Sequence, residues 1–362
     1  MMSGPLAGIR LIEMDAIGPA PLCGMILSGL GADIVRVCRP GGQVAWDDVG
    51  EAVLLRGRAN IQLDLKSENG RGGLLRLVEE ADGLFEGARP GVMERLGIGP
   101  AECLARNPRL VFGRVTGWGQ EGPLRLLAGH DINYIAMTGA LHAIAQEGRA
   151  PTVPLNLVGD YAGGAMFLAL GMASGILSAK ATGKGQVVDA AMVDGVANLL
   201  SLFHAYLGTN VWQDQPASNL LDGAAPFYRC YACKDGGYVA VGSLEPQFFA
   251  KLLSGLGIAA DAYDQNDRAQ WPRMAEDFAK AFLSRTRDAW EAQFAGTDAC
   301  VTPVLSLREA MDHPVNTARQ VFVERHGVKQ AMPAPRFSAT PGGAGESVSL
   351  TIEAALARWR VR

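Results

Sequence analysis

Three places in the sequence set an ionisable side chain among glycines and apolar residues, where pKa values shift and substrates come close to the backbone. The first is Ala128-Gly-His-Asp-Ile-Asn-Tyr134. His130, with a reference pKa of about 6.5, suits a general base at neutral pH. The same run also reads as a helix start, with Asp131 as the cap and His130 beside it. The second is Leu157-Val-Gly-Asp160-Tyr-Ala-Gly-Gly164, where an aspartate opens a long apolar helix. A cap explains Asp160 from its surroundings alone. Yet Gly163 and Gly164 admit a ligand close to the backbone, and free N–H groups at a helix start stabilise an oxyanion. The third is Gly242-Ser-Leu-Glu245-Pro-Gln, a carboxylate between a strand and a helix. There the helix dipole is the alternative reason for Glu245.

Cations recur at the edges of strand-like segments. Arg39 and Arg89 each follow one, Arg56 and Arg58 precede another, and Lys66 ends it. Open α/β sheets bind ligands at the carboxyl ends of their strands. Singly each cation reads as a solvated surface residue. Together they predict a site for a phosphorylated ligand.

The elements that must position these residues alternate in type. Ile9–Met14 reads as a strand, Leu22–Leu30 as a helix and Asp33–Cys38 as a strand, a β-α-β unit that favours a parallel sheet. Strands at Asn60–Leu65, Gly83–Glu86 and Leu110–Val115 follow, with helices at Gly72–Ala81 and Pro100–Arg106. Apolar helices are expected near Asp160–Lys180 and Ala190–Tyr206. A hairpin is expected over Phe227–Gly242 about Lys234-Asp-Gly-Gly237, then helices at Glu245–Leu256 and Thr351–Trp359. The prediction is an α/β fold: an open parallel-sheet, Rossmann-like large domain with a smaller α+β domain. The large domain takes residues 1–190 and 330–362, the small domain 226–310, and linkers 191–225 and 311–329.

Composition removes several classes. The chain has 362 residues, 48% of them hydrophobic and 19% charged, which excludes intrinsic disorder. A net charge of −4 without a Lys/Arg block gives no footprint for nucleic acid. Six cysteines are too few for a disulfide scaffold, and the single Cys230-x-x-Cys233 lacks the second pair a zinc site needs. No metal is expected. No G-x-G-x-x-G, P-loop or G-x-S-x-G stands in the sequence. Residues 161–179 form an uncharged run of membrane-span length that includes Gly171 and Gly175. Its small residues predict a buried helix instead. The termini carry neither a secretory leader nor a peroxisomal or prenylation ending, so a cytoplasmic protein is the expectation.

Nearly the whole chain resembles the α-methylacyl-CoA racemase branch of the class III CoA-transferase fold. The matching runs include Gly8-Ile-Arg-Leu-Ile-Glu13, Gly31-Ala-Asp-Ile-Val-Arg36, Leu63-Asp-Leu-Lys66, Arg89-Pro-Gly-Val-Met-Glu-Arg-Leu-Gly97 and Gly117-Trp-Gly-Gln120. Pro154-Leu-Asn-Leu-Val-Gly-Asp160 and Gly183-Lys-Gly-Gln-Val-Val-Asp189 follow. The Gly-His-Asp-Ile-Asn-Tyr run and Glu245 are similar to the racemases specifically. The resemblance implies epimerisation of 2-methylacyl-CoA thioesters through an enolate. His130 would take the S proton, Asp160 the R proton, and Glu245 would orient His130. Backbone N–H groups of Asp131 and Asp160 would meet the enolate oxygen. Coenzyme A would lie along Arg39, Arg56, Leu63, Lys66, Gly87, Arg89, Arg95 and the run Gly129, His130, Asp131, Ile132, Asn133, Tyr134. The resemblance also implies an interlocked homodimer with sites shared between chains, and no cofactor. One departure is Ala59, where the family more often carries a cation.

Two other functions fit the same residues. A class III CoA-transferase would use Asp160 as a nucleophile and has no need of His130 with Glu245. A non-catalytic acyl-CoA-binding protein has no need of any of the three.

Overall fold

The computed structural model describes residues 4–41 and 53–360. The chain divides into two compact units, Met1–Ala140 with Val153–Ser201 and Gln320–Arg362, and Leu141–Thr152 with Leu202–Arg319. Residues 202–225 and 311–319, expected as linkers, thus belong to the second unit.

The first unit is built on seven parallel strands: β1 Arg10–Met14, β2 Asp33–Cys38, β3 Arg58–Gln62, β4 Gly83–Glu86, β5 Val111–Thr116, β6 Gln186–Ala191 and, far along the chain, Val348–Ser349. That last strand pairs with β3, and the spatial order runs from it through β3, β2, β1, β4 and β5 to β6. The central strands are buried on both faces, as an all-parallel sheet requires. Neighbouring residues feed opposite faces. Ile12, Val35, Leu84 and Phe112 join a core with Leu74, Leu77 and Trp359, while Leu11, Ile34, Phe85 and Val111 join one with Leu168 and Met172. Each such side chain, fully buried, contributes about 1.5–3 kcal/mol.

Helices cover both faces. Glu68–Glu80 starts earlier than periodicity suggests because the Ser67 hydroxyl accepts from Gly70 N–H at 3.0 Å. Pro19–Gly29 likewise starts before its first periodic residue, with proline in its first turn. The apolar Asp160 segment begins as a π-helix over Leu157–Met166 and continues as an α-helix over Phe167–Thr182. It rides on the sheet through glycines. A Cβ on Gly171 would stand 2.6 Å from Val188 Cγ1, and one on Gly175 2.8 Å from Val111 Cγ1. Residues Leu157–Thr182 are long and apolar enough to cross a membrane, and 50% of the most apolar window is buried within the protein. On its other side Met166, Leu170 and Leu177 are exposed.

The second unit holds an antiparallel sheet of β7 Tyr228–Ala232, β8 Tyr238–Gly242 and β9 Val301–Pro303. Helices Pro246–Leu256, Trp271–Phe282 and Arg287–Phe294 bury Tyr231, Val239, Phe249, Phe278, Phe282 and Trp290. The single helix expected over 190–206 is instead the end of β6 and two helices, Met192–Leu199 and Ser201–Gly208. Cys230 sits on β7, exposed, and Cys233 is buried just past its end. Among the described residues no cluster of His, Cys, Asp and Glu has the form of a metal site.

Candidate active site

The strand order reverses between β1 and β4, so the crevice at their carboxyl ends is the place where such a sheet takes a ligand. Two loops frame it. The one after β4 is fixed by Glu86, which is fully buried and accepts from Ala88 N–H at 2.5 Å and Arg114 Nε at 2.9 Å. Burial pushes the Glu86 carboxyl up to about 7, against the pull of those two donors. This loop presents Arg89, exposed. The loop after β1 ends at Gly18, whose φ of 74° is open mainly to glycine. A Cβ there would lie 3.4 Å from Asp160 Oδ2. Gly18 therefore lines the Asp160 carboxylate, a role that carried no signal in the sequence.

His130 is exposed at the N-cap of the Asp131–Met137 helix, and its N–H donates to Asn133 Oδ1 at 3.0 Å. Asp131 is not the cap; it is the first helical residue, 5% exposed. Its Oδ2 accepts from Gly159 N–H at 2.6 Å and from Asp160 N–H at 2.7 Å. The segments carrying His130 and Asp160 are thus joined by one carboxylate. This corrects one expectation: the Asp160 N–H is occupied and is not a free oxyanion donor. The Asp131 N–H stands in the first turn, where no intrahelical acceptor exists.

Asp160 is half-buried in the first turn of the π-helix, three residues beyond the start at Leu157, so it is not a cap either. π-helical turns are frequent at functional sites. Burial raises its carboxyl above the usual aspartate range; the Asn156 amide, 3.4 Å from Oδ2, opposes this, the Asp131 charge adds to it and His130 opposes it. Asn156 was missed from sequence, although its place one turn before Asp160 was a readable signal.

Of the cations at strand edges, Arg58 is fully buried at the start of β3, where its guanidinium pairs with Glu13. Arg39 follows β2, Lys66 follows β3, and Arg95 ends the short helix after Arg89; all four side chains are exposed, and among the described residues none has a carboxylate within ion-pair distance. Gly87, Ile132 and Asn133 are exposed, while Gly129 and Leu63 are half-buried, Leu63 against the core. Two expected ligand contacts are placed differently. Arg56 is 6% exposed and donates to Gln330 Oε1 at 2.6 Å, so the fold holds its head-group. Tyr134 is 6% exposed, packs edge-on against Trp118 and donates to the Gly129 carbonyl at 2.5 Å. It props the His130 loop from beneath. Ala59 is buried in β3, so a cation at that position would not stand on the surface.

Glu245 lies in the second unit, exposed at the N-cap of Pro246–Leu256, with no hydrogen bond from its side chain to the helix. Its charge reaches Cys300, whose thiol is raised first by burial and then by Glu245. A cavity of about 1140 Å³ opens in this unit over the face that carries Cys230, Ala240 and Thr302.

The parallel sheet with helices on both faces is a doubly wound α/β fold, with Asp160 beside the loop after β1 and the exposed cations Arg39, Lys66 and Arg89 following its strands. The sequence model of CoA-transferase family III matches residues 6–347, and the chain belongs to that family. Alpha-methylacyl-CoA racemase of Mus musculus is 42% identical over 93% of this chain and 87% of that protein. The Homo sapiens protein of the same name has the same identity and coverage. Succinyl-CoA–D-citramalate CoA-transferase of Chloroflexus aurantiacus is 30% identical over 94% of this chain and 89% of its own. A solved CAIB/BAIF family protein from Brucella suis superposes with a TM-score of 0.82 at 25% identity, covering 99% of this chain and 100% of that one.

Proposed function

We propose that this protein interconverts the R and S epimers of 2-methylacyl-CoA thioesters. The observation that carries the reading is the pair His130 and Asp160, chemically different bases joined through Asp131 at the ligand crevice. Its 42% identity to two proteins named alpha-methylacyl-CoA racemase supports it.

The thioester carbonyl acidifies the proton on C2. In the S-to-R direction His130 removes that proton, and the electron pair moves through the new C1–C2 double bond onto the carbonyl oxygen. The Asp131 N–H faces this enolate oxygen. Protonated Asp160 then delivers its proton to the opposite face and the carbonyl re-forms. The enzyme ends with His130 charged and Asp160 ionised, the state that begins the R-to-S reaction. One base alone returns the proton to the face it left, which is why two are needed. Arg39, Lys66, Arg89 and Arg95 hold the phosphates, and the proton transfers ask nothing of a metal or added cofactor.

The acting species is a homodimer in this proposal. Met166, Leu170 and Leu177 are 52%, 64% and 72% exposed along one helix, an apolar stripe suited to a second copy. Glu245 of that copy would orient His130, as a carboxylate does in other histidine sites.

The test is incubation with (S)-2-methylacyl-CoA in D₂O without an acceptor acid, following deuterium at C2 and the R/S ratio. Exchange with drift to a mixture of epimers is expected. Absence of exchange across diverse acyl-CoAs would sink the reading in favour of transfer through Asp160.

A further inference from the structure

We propose that the Asp131 carboxylate is a positioning residue that sets the separation of the two bases, by tying the backbone of Gly159 and Asp160 to the helix turn that follows His130. The proposal rests on the two-base reading above. The N–H groups of Gly159 and Asp160 lie in the first turn of the π-helix, where no carbonyl of that helix accepts them. The local cap does not serve them: Asn156, at the N-cap, makes no capping bond and turns its amide to the Asp160 side chain. The acceptor comes from another helix. Asp131 Oδ2 takes both, at 2.6 and 2.7 Å, within the range of charge-assisted bonds.

The approach of the two segments is close. A Cβ at Gly159 would stand 2.8 Å from Asp131 Oδ2 and 3.2 Å from its Cα, so only glycine admits the approach. Asp131 Oδ1 is buried with no hydrogen-bond partner among the described residues. The same carboxylate also lies in the first turn of its own helix, so one charge serves the N-terminal turns of the helix that follows His130 and of the helix that contains Asp160.

The test compares Asp131→Ala and Asp131→Asn with the wild type, measuring KM, kcat and, in D₂O, the ratio of C2 exchange to inversion. Backbone N–H groups are unchanged by either substitution. In Asp131→Ala the bases drift apart while each still reaches its own proton. Inversion is expected to fall about 100-fold, with KM within about threefold. Exchange falls less, so the ratio of exchange to inversion rises. Asp131→Asn keeps an oxygen that accepts both N–H groups and is expected to recover most of the inversion and the wild-type ratio. Equal loss of exchange and inversion in Asp131→Ala, or a KM-only effect, overturns the proposal. Should that variant not fold, Gly159→Ala decides: its Cβ would meet Asp131 Oδ2 at 2.8 Å and push the carboxylate away, so an unchanged ratio of exchange to inversion overturns the proposal. A wild type that neither exchanges nor inverts would remove the two-base reading itself, and the positioning role with it.

Discussion

The side-chain amide of Asn156 reaches Oδ2 of Asp160 one turn along the helix, Nδ2 to oxygen 3.4 Å. That bond pulls the Asp160 pKa down while burial, the larger cause, pushes it up. The proposed two-base reaction needs one proton held between His130 and Asp160. As pH falls through the Asp160 pKa, the pair takes up a second proton and both directions stop. The acid limb of kcat/KM is therefore expected above the ordinary aspartate value of 3.8, at the same pH for both epimers. Asn156→Ala removes the opposing bond and should move that limb further up. A limb that moves down, or differs between epimers, contradicts this assignment.

Removal of either base is expected to separate exchange from inversion. In His130→Ala, Asp160 still removes and returns its own proton, so the R epimer exchanges deuterium and the S epimer does not. Asp160→Ala gives the reverse. Inversion falls by about 10²–10⁴ in each, the usual contribution of a placed acid–base group. Mass spectrometry and chiral separation of the recovered thioester read both quantities.

Arg89 is carried by the loop that Glu86 fixes, and in the proposed reaction it meets a part of the substrate remote from C2. Arg89→Ala should raise KM about tenfold with kcat nearly unchanged, the pattern of lost uniform binding. Added salt should weaken wild-type binding more than that of the variant. A loss confined to kcat would place Arg89 in the chemistry instead.

Glu13 and Arg58 form an ion pair of 2.9 Å at 1% and 0% exposure, and Arg58 also donates to the carbonyls of Arg56 and Pro21. Glu13→Gln leaves a buried guanidinium without its counter-charge and is expected to cost about 3–5 kcal/mol. Urea denaturation monitored by tryptophan fluorescence measures it. A midpoint equal to wild type would mean that the two carbonyls alone satisfy Arg58.

The central strands and the three titratable positions were legible because their signals are local. Apolar runs bounded by glycines gave β1, β2, β4 and β5, and a charged residue in an apolar run gave His130, Asp160 and Glu245. What escaped depends on contacts across the fold. Gly18 matters only because the β1 loop meets Asp160, and Asp131 only because its carboxylate reaches Gly159. Arg56 reads as a surface cation until Gln330, far along the chain, is seen to receive it. β6 and the Val348–Ser349 strand lie at the two edges of the sheet, β6 largely exposed and the other two residues long, so neither has the apolar run of a central strand. The π-helical turn has no period distinct from an α-helix in ten residues.

The pairing of Val348–Ser349 with β3 has a consequence for synthesis of the chain. Residues 202–319 form a continuous stretch of a separate unit between β6 and that last strand. They leave the ribosome before the sheet is finished. One border of the sheet thus stays exposed while a whole second core is made, with the backbone groups of β3 open to foreign strands. Chains released short of Val348 would keep that border permanently, and aggregation rather than lost chemistry would be their first defect.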